Sequence, residues 1–146
     1  MQLTQHNINM IMRGEIGNYS DTQRLLSYKM AFQVIQKNPI SGTGIGDLKD
    51  DLKAEYTQHY PDKNVKYPHN QFITIWAGAG LIGLLVFGLS YFYTILGKPF
   101  RHKEQIVFGS IILLSFMTEN TLLNSTGMSI YVFFQLITYR SVEKIA

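Results

Sequence analysis

The chain has 146 residues, a formal net charge of +3 and no cysteine. The lack of cysteine excludes disulfide bonds, thiolate metal sites and cysteine nucleophiles. The positive residues are spread along the chain without a Lys/Arg run, so nucleic acid is not an expected partner. Residues 1–70 carry fifteen of the twenty-three charged side chains, whereas residues 71–96 and 105–118 carry none. We therefore expect a polar region followed by a membrane region.

The polar region, residues 1–70, is predicted to contain two helices after an irregular start. Apolar side chains recur at helical spacing over residues 21–37. Asn38-Pro39 ends this helix, because a residue before proline disfavours the α conformation. Asp47 is placed to cap a second, more polar helix over residues 47–59. The two helices are joined by a glycine-rich loop that contains Gly42, Gly44 and Gly46.

The membrane region begins with residues 71–96, which are uncharged and exceed the ~20 apolar residues needed to cross a bilayer. The short loop 97–104 carries Lys98, Arg101 and Lys103, and short basic loops stay in the cytoplasm. This orientation puts residues 1–70 on the outer, periplasmic side.

The apolar stretch 105–139 is too long for one crossing and carries one charge, Glu119. We place its turn at residues 124–127, which gives helices over 105–122 and 128–142 and a cytoplasmic C-terminus. The predicted fold class is an all-α, polytopic membrane protein in which a helical periplasmic loop is followed by three transmembrane helices, at residues 71–96, 105–122 and 128–142.

Arg24 lies on the apolar face of the first predicted helix, one turn before Tyr28. Its guanidinium has the donor geometry and permanent charge that suit a diphosphate. The alternative is an arginine that snorkels from a helix end. Two interpretations are also open for the loop with Gly42, Gly44 and Gly46. Either its backbone amides hold an anion, or it is a flexible turn between helices.

His69 stands where the chain enters the membrane, and histidine is the common general base near neutral pH. The alternative is a polar residue that caps the membrane helix together with Asn70. Glu119 is predicted near the same outer face, and a carboxylate at a membrane helix is by default functional or paired. Its alternatives are a structural ion pair and simple exposure in the outer turn. The spacing of His6, His59, His69 and His102 fits no metal site, so neither a metal nor a cofactor is expected.

Several short motifs follow one another in a characteristic order. They are Arg24-x3-Tyr28-x2-Ala31, Asn38-Pro39, Gly42-x-Gly44-x-Gly46, His69-Asn70 before a glycine-rich apolar helix, and Thr118-Glu119-Asn120. Their order and topology resemble the C-terminal region of the O-antigen ligase and O-antigen polymerase superfamily, over roughly residues 20–140. Tyr28 departs from the pattern, because tryptophan is more usual at that place.

The resemblance implies a multi-pass protein of the bacterial inner membrane that builds cell-envelope polysaccharide such as lipopolysaccharide. It implies a metal-independent glycosyltransferase that moves a glycan from undecaprenyl diphosphate to a lipid or glycan acceptor. Arg24 and His69 would bind the diphosphate, and the catalytic residues would be His69, Arg24 and Glu119. Superfamily members have further membrane helices and arginines upstream, so the resemblance also implies that this chain is inactive without them.

A non-catalytic protein is the competing hypothesis. In a membrane segment of a transporter or an assembly scaffold, Arg24 and Glu119 would be structural charges. A transport pore needs polar side chains along its spans, and the first predicted span has few beyond Thr74, Ser90 and Thr94. This composition favours the enzyme over the transporter.

Overall fold

The computed structural model describes the backbone of residues 20–96 and 103–143, and the side chains of residues 22–96 and 103–137. Some sequence predictions lie outside the described residues: the irregular segment 1–19, residues 97–102 of the basic loop with His102, the side chain of Arg140, and Lys144.

The described part of the chain consists of α-helices and one short 3-10 turn, which confirms the all-α prediction. The elements are α1 (Ser20–Lys37), α2 (Leu48–His59), α3 (Gln71–Leu96), α4 (Lys103–Thr118), the 3-10 turn (Thr121–Leu123) and α5 (Ser125–Glu143). The first three helices begin and end within one residue of their predicted bounds. Asp47 precedes α2, but its side chain makes no capping hydrogen bond.

The last two helices differ from the prediction, because the chain leaves the helical path earlier than expected. α4 ends at Thr118 rather than at residue 122, and α5 begins at Ser125 rather than at residue 128. The side chain of Ser115 contacts the Thr121 hydroxyl at 2.6 Å, and short polar side chains of this kind compete with helical hydrogen bonding. Asn124, which we expected in the turn, instead accepts a hydrogen bond from the backbone N–H of Thr126 at the start of α5.

One hydrophobic core joins α1 and α2 to the first turns of α3. It is formed by apolar side chains that lie at helical spacing on each element. Its fully enclosed members are Met30, Ala31, Val34, Leu52 and Ala77, each with 0% of its surface exposed. Because a buried aliphatic side chain contributes about 1.5–3 kcal/mol, this core fixes α1 and α2 against the start of α3.

A second core lies further along α3, where it packs against α4. Its buried members are Tyr91, Ile95, Ile112 and Phe116. The hydroxyl of Tyr91 donates a hydrogen bond to the carbonyl oxygen of Gly109, at 2.5 Å. The two helices therefore approach closely at a glycine, as small residues allow in membrane helices.

Among the described helices, α3 alone is long and apolar enough to cross a membrane. It is interrupted at Gly80, whose φ of 69° and ψ of −175° are not helical. Several large apolar side chains that follow the interruption are exposed, among them Leu81, Ile82, Leu85, Val86 and Leu89. The interruption thus separates a first part that packs against α1 from a second part with an exposed apolar surface.

Candidate functional site

Arg24, His69 and Glu119 meet at one place, although they lie far apart in the sequence. Nη2 of Arg24 lies 3.2 Å from Oε1 of Glu119, and Nδ1 of His69 lies 3.0 Å from Oε2 of the same carboxylate. The structure therefore brings together the three residues that we singled out from the sequence. Their side chains remain partly exposed, with relative exposures of 46% for Arg24, 30% for His69 and 53% for Glu119.

Arg24 is held over the site by the helix that carries it. The hydroxyl of Tyr28, one turn further along α1, donates a hydrogen bond to the carbonyl oxygen of His69 at 2.8 Å. Ala31, a turn beyond Tyr28, is fully buried in the core. The guanidinium thus projects from a helix that is fixed both to the core and to the backbone of His69.

His69 precedes α3 and presents the Nδ1 edge of its ring to Glu119. An ionised carboxylate only accepts hydrogen bonds, so its contact with Nδ1 requires that Nδ1 carries the hydrogen. In the neutral ring, Nε2 is then the acceptor nitrogen. The capping role belongs to the next residue, because Oδ1 of Asn70 accepts a hydrogen bond from the N–H of Ile73 at 3.1 Å.

Glu119 follows the last residue of α4 instead of lying within a membrane helix as we predicted. Its backbone N–H still bonds to the carbonyl oxygen of Ser115 at 2.8 Å, so Glu119 closes the final turn. The carboxylate is exposed, and it is also paired with Arg24 and His69. Two of the alternatives considered for this residue, pairing and exposure in the turn, are therefore both observed.

A polar network that we did not predict ties the segment before α3 to the segment after α4. Nδ2 of Asn120 donates to the carbonyl oxygen of Pro68 at 2.5 Å, and its Oδ1 accepts from the hydroxyl of Thr74 at 2.7 Å. Nδ2 of Asn70 donates to the carbonyl oxygen of Met117 at 3.1 Å. These bonds hold the neighbours of His69 against the neighbours of Glu119.

The glycine-rich loop lies against the interruption in α3. The N–H groups of Thr43 and Gly44 donate to the carbonyl oxygens of Ala77 and Gly78, at 3.1 and 2.8 Å. The N–H groups of Leu81 and Ile82 donate in the other direction, to the carbonyl oxygens of Pro39 and Ile40, at 3.0 and 3.3 Å. The loop therefore supplies the hydrogen bonds that the interrupted helix lacks.

Close contact with α3 explains the glycine at position 42, because a Cβ there would overlap backbone atoms of Gly78 and Gly80. Gly42 and Gly44 have positive φ values of 71° and 100°. The amides of Gly42, Thr43 and Gly44 all donate to carbonyl oxygens, which leaves them unavailable to the anion that we considered for this loop. Gly46 has nothing within 4 Å of the position that a Cβ would occupy, so it makes no comparable contact.

In a comparison with protein families, residues 3–88 match the model described as O-antigen ligase. The match covers more than half of the chain and includes Arg24, His69 and the glycine-rich loop. The chain belongs to the O-antigen ligase family.

The family consists of integral membrane enzymes that take part in lipopolysaccharide biosynthesis, and one described helix of this O-antigen ligase family member is a candidate membrane span. No curated protein and no solved structure matches the chain. Glu119 and Asn120 lie beyond the matched residues, so the family match does not cover them. Their contacts with Arg24, His69 and Pro68 link them to the site.

Proposed function

We propose that this chain contributes the site at which an O-antigen ligase or polymerase transfers a glycan from undecaprenyl diphosphate to an acceptor hydroxyl. The observation that carries the proposal is the cluster of Arg24, His69 and Glu119 beside the start of a candidate membrane span. A lipid-linked donor presents its diphosphate at the membrane surface, which is where such a cluster is needed.

Arg24 is proposed to bind the donor diphosphate. Negative charge builds up on the departing diphosphate in the transition state, and a fixed cation at that place lowers the barrier. The side chain is about half exposed, so it is open to a ligand. Its bond to Glu119 holds the guanidinium in place before the donor arrives.

His69 is proposed to be the general base. Glu119 accepts the hydrogen of Nδ1, which keeps the lone pair of Nε2 available for the proton of the acceptor hydroxyl. The acceptor oxygen then bonds to the anomeric carbon, while the bond between that carbon and the diphosphate oxygen breaks. The lipid diphosphate leaves with the bonding electrons, and the anomeric configuration is inverted. This reaction needs no metal.

The surroundings of the site suit a donor with a lipid tail. A cavity of about 290 Å³ lies next to the start of α3. Its lining is mainly apolar and includes Ile45, Tyr67, Ile75, Leu122 and Met128. We propose that residues 1–70 lie in the periplasm and that α3, α4 and α5 all cross the inner membrane, with the C-terminus in the cytoplasm. The acceptor would be lipid A-core for a ligase, or another repeat unit for a polymerase.

Replacement of Arg24 by lysine in the intact enzyme tests this proposal. Lysine keeps the positive charge and the attraction to Glu119 but loses the planar fork. We expect roughly a 10²–10³-fold loss of transfer, the size typical of a lost transition-state donor. The measurement is transfer of lipid-linked oligosaccharide by the reconstituted protein, with lipid A-core and with a second repeat unit as alternative acceptors.

The matched control is Lys53→Arg, a charge-preserving change at an exposed position of α2. This variant should transfer at the wild-type rate. If Arg24 is only a structural charge of the enzyme, Arg24→Lys will retain wild-type transfer and the proposed role of Arg24 is wrong. No transfer by the wild-type protein would instead favour the transporter or scaffold segment.

A further inference from the structure

The glycine-rich loop, residues 38–46, contacts α3 at one level along the helix axis, and the length of α3 gives the position of that level in a membrane. The part of α3 after Gly80 covers residues 81–96, which is about 24 Å of helix at 1.5 Å per residue. A hydrocarbon core of ~30 Å needs about 20 residues. Counted back from Leu96, that length reaches the level of Ala77. The loop that bonds to the backbone at Ala77, Gly78 and Leu81 therefore lies at the boundary of the hydrocarbon.

The hydrogen bonds of the loop fit this depth. An interrupted helix at the edge of a membrane must satisfy its free backbone groups within the protein, since lipid offers no hydrogen-bond partners. The carbonyl oxygens of Ala77 and Gly78 and the amides of Leu81 and Ile82 are all satisfied by the loop.

The side chains of the loop are chemically suited to lipid. No residue from 38 to 46 is charged. Ile40 and Ile45 are 63% and 68% exposed, and the exposed apolar surface of α3 begins at the same level, with Leu81 and Ile82. The hydroxyls of Ser41 and Thr43 bond to backbone carbonyl oxygens.

The single tryptophan of the chain marks the same level. Nε1 of Trp76 donates a hydrogen bond to the carbonyl oxygen of Pro39, at 3.0 Å. Tryptophan is enriched at membrane–water interfaces, where its ring lies among the headgroups. This hydrogen bond thus places the loop next to a residue type that is typical of the interface.

From these observations we propose that loop 38–46 inserts Ile40 and Ile45 into the lipid at the boundary between headgroups and acyl chains. The occupant of this surface is the bilayer itself, in the leaflet that contains the start of α3. The loop then has two contacts, with α3 through its backbone and with lipid through the two isoleucines. This inference does not depend on the proposed glycosyl transfer.

The absence of cysteine allows a direct test with one reporter at a time. Ile40→Cys and Ile45→Cys are labelled separately with a nitrobenzoxadiazole fluorophore, and the full chain is reconstituted in phosphatidylcholine nanodiscs. Some discs contain lipid with a nitroxide near the glycerol end of the acyl chain. We expect blue-shifted emission and a roughly twofold loss of intensity from the nitroxide, because interfacial side chains lie about 5–10 Å below the headgroup surface. Dithionite added to the buffer should reduce these labels slowly.

Two exposed positions serve as references. Thr57→Cys on α2 should report water, with rapid reduction by dithionite and no quenching by lipid. Leu89→Cys in the second part of α3, where the native side chain is 71% exposed, should report deeper lipid. Thermal unfolding of each labelled variant shows whether the fold is retained.

Either of two results would overturn the proposal. Labels at positions 40 and 45 that behave like the label at position 57 would place the loop in water. Labels shielded from both dithionite and lipid nitroxide would show that another polypeptide segment covers the isoleucines. Both positions are tested so that one poorly tolerated substitution does not decide the outcome.

Discussion

Oε2 of Glu119 lies 3.0 Å from Nδ1 of His69, so the carboxylate determines which nitrogen of the ring carries hydrogen. The other carboxylate oxygen contacts Arg24. One acidic side chain thereby orients both residues that we propose for catalysis. In the proposed mechanism Glu119 is therefore a positioning residue, which acts through His69 and Arg24 and not on the substrate.

Replacement of Glu119 by glutamine should lower the rate of transfer more than it lowers donor binding. The amide can present its N–H₂ to the ring, which favours the tautomer with hydrogen on Nε2 and removes the base. We expect kcat to fall by about 10²-fold or more, within the range for general-base catalysis. The KM for the donor should change little, because the amide oxygen of the glutamine can still accept the hydrogen bond from Arg24.

Steady-state kinetics of the reconstituted enzyme separate these two effects. Glu119→Asp should restore part of the rate, because it keeps a carboxylate. Glu104→Gln is the matched control, at an exposed position in the first turn of α4. A Glu119→Gln enzyme with normal kcat would contradict the orienting role of the carboxylate.

Asn120 should be important for stability, since it satisfies two groups at once. Its side chain binds the carbonyl oxygen of Pro68 and the hydroxyl of Thr74, which is 5% exposed. Asn120→Ala removes both hydrogen bonds, each of which contributes about 0.5–1.5 kcal/mol, while the Thr74 hydroxyl and the Pro68 carbonyl oxygen keep their bonds to Asn70. We expect a lower unfolding temperature in detergent or nanodiscs, with Asn64→Ala as the exposed control. Equal unfolding temperatures for the two variants would mean that the network adds no stability.

The first part of the fold could be predicted because its signals are local. Apolar spacing and the Asn38-Pro39 stop defined α1, and the long uncharged stretch defined α3. The family pattern, and not the spacing of the two residues, predicts that Arg24 and His69 belong to the same site. Glu119 stands out in the sequence because a charge in an apolar stretch is unusual.

The remaining features depend on contacts between distant segments, which sequence periodicity does not report. α4 ends at Thr118, where the side chain of Asn120 after it bonds to the segment before α3. Gly80 resembled the other small residues of α3. Its interruption is explained only by the loop at Gly42, nearly forty residues earlier, which supplies the missing hydrogen bonds.

The polar region should lose stability at alkaline pH, where the ion pair between Lys37 and Glu55 is lost. The hydrogen bond to the buried Glu55 carboxylate, and then its charge, raise the pKa of Lys37 above the ordinary 10.5, and the charge of Asp51 adds to this. Folding therefore favours the protonated lysine. Its stabilising effect is complete below pH 10.5 and is lost as the pH rises through the folded pKa.

Thermal unfolding of wild type and Lys37→Gln, from neutral pH to above 10.5, measures this effect. The variant should be less stable than wild type at neutral pH, and the difference should shrink as the pH rises. Both proteins should also lose stability through Tyr56, because burial raises the pKa of its phenol. A difference between the two proteins that stays constant with pH would contradict the role of Lys37.

Gly80 and Gly42 should tolerate alanine far less well than other glycines of the same segments. A Cβ at Gly80 would overlap the carbonyl oxygen of Ile40, and a Cβ at Gly42 would overlap backbone atoms of Gly78 and Gly80. Both glycines also have positive φ, a conformation that costs other residues about 1–3 kcal/mol. We expect either alanine variant to lower the unfolding temperature and to speed hydrogen exchange at the amide of Leu81, because the loop must move away from α3.

Gly88→Ala and Gly46→Ala are the controls, because no atom lies within 4 Å of the added Cβ in either case and neither glycine has positive φ. Gly88→Ala should stabilise α3 slightly, by up to about 1 kcal/mol, since alanine loses less entropy in a helix. If Gly80→Ala is as stable as Gly88→Ala, the helix has closed its interruption without the loop. The bonds between loop and α3 would then be dispensable, and the loop would be free to leave the membrane boundary.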